Sequence, residues 1–483
     1  MTTTDVGFRS ERGPILISLM VTTGLVAIDA TVLATAVPTI VKDLGDFTLF
    51  PWLFSVYLLA QAVTVPIYAK LSDVVGRKPI ILIGIALFLL GSILCGFAWS
   101  MPALIAFRVV QGLGAGAVQP MSITIVGDIY TIAERARTQG YLASVWGVAS
   151  VVGPTLGGLF SQFGIWRGVF FVNVPLCIIA GWMLIRFFTE KVEKRSHKVD
   201  YLGAILLTVA LTLTILAVLE GGQAWAWNSP QSIGAFALGG LVLVAFVFAE
   251  RRAAEPILPL WVFSRRLLLT TTLVGFAIGA ILIGLTSYVP TYLEGSLNVA
   301  PLAAGLALAA LTLGWPISAA FSGRFYLRIG FRNTTLIGVA VVLLGTAILA
   351  AFARTPSVAI VAVSCFVIGL GMGLAAVPSL IAAQSSVGWN ERGVVTGTNL
   401  FARSIGSAVG VAIFGALANA IFAATPNGEH DPAVVVTASA TVFIAVVIAV
   451  VLMIVAALSV PKTPVAVAVS PGEASDAASA QSV

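Results

Sequence analysis

The chain has 483 residues, of which 59% are hydrophobic and only 10% charged, against roughly a quarter charged in an ordinary soluble domain. Soluble folds keep a charged exterior and could not hide so much apolar surface. The net charge of +6 sits in short basic clusters between apolar runs, the pattern of a polytopic membrane protein and not of a nucleic-acid-binding stripe.

Apolar runs of helical length fall at 14–40, 51–70, 79–98, 102–125, 138–163, 169–188, 200–220, 231–249, 268–290, 300–322, 334–352, 357–382, 393–422 and 433–460. About 20 apolar residues cross a hydrocarbon core, so these runs predict fourteen transmembrane helices. Lipid tolerates no unpaired backbone, which makes the fold class all-α. Near the N-terminus, Arg9, Arg12 and Ala34-Thr35-Ala36 imitate a secretory signal. The apolar run between them is too long for one and carries Asp29, so it reads as an uncleaved first span.

With the N-terminus inside, 21 of the 26 Lys and Arg fall on the cytoplasmic side; only Lys42, Arg167 and Arg354 fall outside, and Arg108 and Arg403 lie within spans. The asymmetry predicts two cytoplasmic termini in a plasma or inner membrane. The layout divides into a six-helix bundle over 1–190, linkers with two inserted helices over 191–266, a second six-helix bundle over 267–460 and a disordered tail over 461–483. His197 falls in the polar stretch after the sixth span and reads as a solvated surface residue.

Asp29 is the first residue that demands an explanation, since a carboxylate in a span costs a few kcal/mol and usually faces a cavity or a partner. From Pro14 it lies about 22 Å above the inner boundary, roughly 8 Å from the outer one. Arg108, six residues beyond Pro102, lies about 9 Å from the same boundary. An adjacent guanidinium favours an ionised carboxylate while desolvation favours a neutral one. That balance suits a proton-coupling pair, and a permanent ion pair docking span 1 on span 4 is the alternative.

In the second span, Tyr57 and Gln61 are candidates to line a substrate path. The turn 69–78 that follows, AKLSDVVGRK, carries Asp73, Gly76, Arg77 and Lys78. Gly76 permits a tight turn. The acid is placed to cap the next helix, and the basic pair to bind acidic or backbone groups of the facing half. Together they read as a conformational latch. On span 4, Gln111 shares the helix face of Arg108.

Gly112/Gly116 and Gly153/Gly157 have the spacing of close helix packing. Trp146, Tyr288 and Asn399 join the cavity candidates, although amides more often bond helices together. Trp52 and Tyr292 fall near predicted interfaces and fit an aromatic belt. Arg403, ten residues into span 13, lies about 15 Å deep. It either bonds backbone carbonyls or groups such as Asn399, or faces the cavity and attracts anions. The turn is repeated: GRFYLRIGFR (323–332) matches 69–78 at an offset of 254, with Gly330 on Gly76 and Arg332 on Lys78, but no acid at the Asp73 position. Two copies about a central path suit a transporter.

These residues carry a family resemblance. The chain resembles the major facilitator superfamily, in particular its 14-span drug:proton antiporter branch. Leu71, Asp73, Gly76, Arg77 and Lys78 are similar to the superfamily's G-x-L-a-D-r-x-G-r-k signature, with departures at Ala69 and Val74. Arg108-Val-Val-Gln111-Gly112 resembles the span 4 motif RxxQG, whose arginine is associated with proton coupling. Gly153-Pro154-Thr-Leu-Gly157-Gly158 resembles the antiporter motif GPxxGG, with Ala149 where that motif prefers Gly. Asp29-Ala-Thr31 with Ala36-Val37-Pro38, Trp166-Arg167 with Asn173-Val-Pro175, and Arg403 with Gly406 and Gly410 resemble the same branch. The resemblance implies two pseudo-symmetric bundles in the major facilitator fold, alternating access, and export driven by proton influx with no cofactor. It also implies a monomer whose partners are a small hydrophobic or amphiphilic substrate, protons and membrane lipids.

One mid-membrane acid against two arginines favours neutral, weakly acidic or zwitterionic amphiphiles over dications. Export of lipid or lipid conjugates is the alternative within transport, motivated by Arg403. With no phosphate-binding GxxxxGK[ST] loop, an ATP-driven pump would need a partner chain; a membrane enzyme is disfavoured by the lack of a nucleophile–base pair or clustered His/Asp/Glu ligands, and the two histidines, His197 and His430, lie in loops. Cys95, Cys177 and Cys365 lie in apolar runs and offer no disulfide framework or metal-ligand spacing. A receptor or scaffold would need neither the coupling acid nor the repeat.

Overall fold

The computed structural model describes residues 6–45, 49, 52–190, 200–221, 225–226, 228–253, 256–422, 424 and 431–462. His197, His430 and the predicted tail beyond residue 462 lie outside them. Among the described residues the chain forms helices α1 (Gly13–Leu44), α2 (Trp52–Val75), α3 (Arg77–Gly96), α4 (Met101–Ile129), α5 (Ile132–Gln162), α6 (Gly168–Phe171), α7 (Asn173–Phe187) and α8 (Tyr201–Glu220). They continue as α9 (Pro230–Glu250), α10 (Trp261–Ser264), α11 (Arg266–Leu297), α12 (Pro301–Ala351), α13 (Val358–Ser385), α14 (Trp389–Phe422) and α15 (Pro432–Leu458). Among the described residues, twelve stretches are long and apolar enough to cross a membrane, and the apolar part of α8, Leu202–Ala217, is shorter. Their outward surfaces carry large apolar side chains such as Leu58, Ile83, Trp182 and Leu241, where a water-soluble protein would place charge.

Three predicted boundaries are corrected. The turn 69–78 is helical except at Gly76 (φ 101°, ψ 158°), so α2 and α3 meet at a single residue. The repeat turn 323–332 is likewise absorbed into the 51-residue α12, broken only at Gly330 (φ 83°, ψ 165°). Both glycines hold a left-handed φ that a side chain would resist, and each redirects the chain in one step. The predicted sixth span is two helices, α6 and α7, because Pro175 has no N–H to continue the hydrogen-bond ladder across Val172. Val172 keeps helical angles, so the direction is preserved.

By their contacts the helices form two units, one comprising Met1–Val126 and Tyr141–Leu260, the other Gly127–Gly140 and Trp261–Val483. In the first, the core between α1, α4 and α6 is built from residues such as Val32, Ile40, Leu53, Leu104 and Phe170. The inserted helices α8 and α9 pair with each other, and α8 leans on α2. In the second, α11, α13 and α15 enclose Ile278, Leu285, Ile368, Met372 and Phe443. Tyr292, predicted at an interface, is instead 1% exposed in that core, its hydroxyl donating to Ala353 O at 2.7 Å. The corner between α4 and α5 belongs to this second unit. There Arg392 Nη1 donates to Gly127 O (2.9 Å) and pairs with Asp128 (3.2 Å), and the Tyr326 hydroxyl donates to Ile132 O (3.1 Å).

Glycines set how closely the helices approach. A Cβ at Gly153 or Gly157 would strike Thr31 or Thr35 and Val32 of α1, and one at Gly406 or Gly410 would strike Phe276 or Ala280 and Ile283 of α11. The paired GxxxG steps on α5 and α14 therefore seat each helix on the first helix of its own bundle. Thr31 and Thr35 donate across the first of these contacts to Ala149 O (3.0 Å) and Pro154 O (3.3 Å). Gly158 faces open space.

Candidate functional site

The first unit places α1, α2, α3, α4 and α7 around one buried polar cluster. Asp29 on α1 accepts Arg108 Nη1 at 2.7 Å on Oδ2, and Gln111 Nε2 at 2.8 Å with Asn173 Nδ2 at 3.2 Å on Oδ1. Arg108 also donates from Nη1 to Gln111 Oε1 (2.7 Å) and from Nε to Leu53 O (3.1 Å). Its guanidinium lies 4.1 Å from the centroid of the Tyr57 ring. Ser92 on α3 closes the set, within hydrogen-bond distance of Gln111 Nε2 (2.9 Å) and Asn173 Nδ2 (3.4 Å). Asp29, Ser92, Arg108, Gln111 and Asn173 are each exposed by 1% or less, so these contacts replace solvation outright.

The local sequence explains the convergence. Gly112 lets α4 ride against the Tyr57 backbone of α2, and Gly91 lets α3 reach the Gln111 backbone. Arg108 and Gln111, three residues apart, project from one helix face. A buried ion pair survives desolvation only with such supporting hydrogen bonds, and losing one partner strands a charge. Two acceptors are left over: Tyr57 Oη and Asn173 Oδ1 are buried with no partner among the described residues.

The turn at the α2–α3 junction is built differently from the expectation. Asp73 pairs with Arg77 at 2.8 Å within the turn. The first N–H groups of α3, on Arg77 and Lys78, both donate to Glu190, each at 2.9 Å. Glu190, not Asp73, therefore occupies the positive end of that helix. Lys78 Nζ reaches back to Ile185 O (2.9 Å) and Phe188 O (2.5 Å) beyond the end of α7 in the same unit, where the sequence had pointed these cations at the facing half.

The other predicted residues divide. Gln61 donates to Gln119 Oε1 (2.9 Å), and Asn399 donates to Thr271 O (3.0 Å), so both join neighbouring helices. Trp146 and Tyr288 are half-buried. Arg403 has its carbonyl pressed against Gly279, while its half-buried guanidinium has no hydrogen-bond or ionic partner among the described residues. Sequence reasoning missed Ser92, Glu190, Gln119 and Asp43. Asp43, at the end of α1, accepts from Trp166 Nε1 (3.0 Å) and Arg167 Nη1 (2.9 Å). These hydrogen bonds, Trp166 first, hold its carboxyl below the usual carboxylate range. Its place beside the noted Trp166-Arg167 pair depends on a chain reversal that no local pattern announces.

Comparison with known proteins places this geometry. The Major Facilitator Superfamily model matches residues 19–411. Multidrug resistance protein 3 of Bacillus subtilis (strain 168) is 37% identical over 398 residues, 82% of this chain and 77% of that protein. The multidrug transporter protein MdtP of the same strain is 34% identical over 414 residues, 86% of this chain and 76% of that protein. Among solved structures, the human organic anion transporter MFSD10 (TETRAN) superposes with a TM-score of 0.62 at 14% identity, covering 91% of this chain and 99% of that one. The proton:xylose symporter XylE gives 0.59 at 13% identity, covering 90% and 94%. At those identities the solved structures speak for the fold alone. With its family match, its relatives and its many apolar helices, the chain is a multi-pass membrane protein that belongs to the major facilitator superfamily.

Proposed function

We propose that this protein exports hydrophobic or amphiphilic small molecules by alternating access, driven by proton influx, as a monomer in the plasma or inner membrane with both termini in the cytoplasm. The observation that carries the reading is the buried Asp29–Arg108 pair with its two amide donors. The lengthwise similarity to a multidrug resistance protein and a multidrug transporter supports the substrate class. A count of fourteen spans follows if α12 crosses twice about Gly330 and α8 crosses once.

In this reading a proton on Asp29 removes the charge that ties α1 to α4. Arg108 keeps Gln111 Oε1, Leu53 O and the Tyr57 ring, so the cation is not stranded while the carboxyl is neutral. Loss of the proton restores the pair and resets the bundle. The α2–α3 turn, with Asp73, Gly76, Arg77 and Lys78, serves as a latch within this cycle, and Gly153, Pro154 and Gly157 shape the α5 surface on which α1 moves, with Gly158 off that surface.

The test is Asp29→Asn in proteoliposomes under an imposed pH gradient, following efflux of a fluorescent amphiphile and the accompanying proton movement. The variant is expected to lose proton-driven efflux while still folding, as size-exclusion chromatography and circular dichroism report. Full substrate-driven proton movement by the variant removes Asp29 from the mechanism. Absence of any substrate-dependent proton flux in the parent protein favours a receptor or scaffold.

A further inference from the structure

Among the described residues, Arg403 stands apart from Asp29 and Arg108, the other charges that the sequence places inside spans. It is fourteen residues from the start of α14 and nineteen from its end, about 21 and 28 Å along the axis. A side chain at that depth cannot reach either interface. A cation inside a span is retained where it has a counter-charge or faces a wet cavity, and each helix packed against α14 can be checked for an acid. Neither α13 nor α15 contains Asp or Glu, and Asp128 at the α4–α5 corner is paired with Arg392, eleven residues and about 16 Å along α14 from Arg403. On α11 the one acid is Glu294, fifteen residues from the Gly279 that meets Arg403, about 22 Å away along the helix. On α14 itself it is Glu391, twelve residues and about 18 Å away.

Local polar groups are also taken. The Asn399 amide is donated to Thr271 O, and the Ser407 hydroxyl is bonded to Gly279 O (3.0 Å) and Arg403 O (3.2 Å). The guanidinium is half-buried and unpaired among the described residues. In contrast to Arg108, whose charge is met by its own bundle, Arg403 offers a bound molecule an unanswered positive charge among the described residues.

We infer that Arg403 is an anion-recognising subsite, and that the preferred substrate is an amphiphile with an anionic headgroup, such as a sulfonate, carboxylate or phosphate, on an apolar body. The guanidinium fork suits such planar or tetrahedral oxyanions. The inference rests on the export reading only in taking the occupant to be cargo. Binding at Arg403 is therefore measured without a proton gradient, apart from the flux assay that tests export.

The experiment uses the full chain in phosphatidylcholine nanodiscs and three naphthalene probes with the same alkyl tail, bearing sulfonate, hydroxyl or trimethylammonium. The sulfonate is expected to bind tightest. Arg403→Gln should weaken it about tenfold or more and leave the hydroxyl probe within about twofold, and Arg403→Lys should fall between. Thermal unfolding of each variant reports its fold, and Arg403→Lys retains the charge should the glutamine variant prove unstable. An unchanged sulfonate affinity in Arg403→Gln, or tightest binding of the trimethylammonium probe, overturns the assignment. Adding phosphatidylglycerol distinguishes the source of the anion. Competition seen in the parent but not in Arg403→Gln identifies a lipid headgroup, and no competition identifies a free amphiphile; both support the subsite.

Discussion

The two units solve the same problem, a charge at membrane depth, in opposite ways. In the first, Arg108 meets Asp29, Gln111, the Leu53 carbonyl and the Tyr57 ring, all within one bundle. In the second, Arg403 meets none of these kinds of partner among the described residues, although its helix is seated by the same GxxxG device. Shared architecture therefore does not imply shared electrostatics. A closed cluster makes charge a matter of the protein's own state, and an open one makes it a matter of what binds.

The largest break in that comparison is expected at Arg108. Arg108→Ala strands the Asp29 carboxylate in a fully buried site and should cost about 3–5 kcal/mol of stability, read by thermal or denaturant unfolding in detergent. The double variant Asp29→Asn with Arg108→Gln, which removes both charges, should recover much of that loss. Arg403→Gln, by contrast, removes an unpaired charge and should leave stability unchanged within about 1 kcal/mol or raise it. Equal destabilisation at the two arginines would erase the distinction between a closed and an open site.

The fold and half of the site could be read before the structure because helix rise is constant. Counting residues from Pro14 and Pro102 put Asp29 and Arg108 at similar depth, and they meet at 2.7 Å. Gln111 followed from its spacing to Arg108. What could not be read was rotation about each helix axis. Helices this apolar on all sides carry no stripe to show which face turns inward, so Ser92 gave no signal and the amide of Asn173 had no assigned target. Glu190 sat in a polar stretch where any acid looks solvated. For Arg403, a bond to Asn399 was one of the two alternatives, and Asn399 instead turns to Thr271.

A second contrast lies in the repeated turns. Gly76 and Gly330 share a left-handed φ, and the cations at equivalent positions both cap a helix end: Lys78 on Phe188 O, Arg332 Nη2 on Leu458 O at 3.0 Å. Gly76→Ala and Gly330→Ala should therefore each cost about 1–2 kcal/mol. Among the described residues only the first turn has an acid, Glu190, on the first N–H groups of the next helix. Glu190→Gln should destabilise by about 1 kcal/mol through weaker capping of α3, with hydrogen exchange at the Arg77 and Lys78 amides accelerating first.

The smallest expected effect isolates the opposite end of the first unit. Asp43 is tied to Trp166 and to Arg167, which also donates to Ala98 O (3.0 Å) and stacks 4.3 Å from the Trp166 ring. Trp166 is 1% exposed, while the ion pair itself is open to solvent. Because the folded carboxyl is held below its ordinary value of 3.8, its stabilisation is present above that value and is lost as pH falls through the folded one. Asp43→Asn should therefore lower Tm by no more than about 2 °C at neutral pH. The difference from the parent should fade as pH falls below 3.8 and through the lowered folded value, and shrink in high salt. A pH-independent difference would assign the effect to the changed shape of the side chain beside Trp166 and Arg167, and would leave the charge of Asp43 without a structural role.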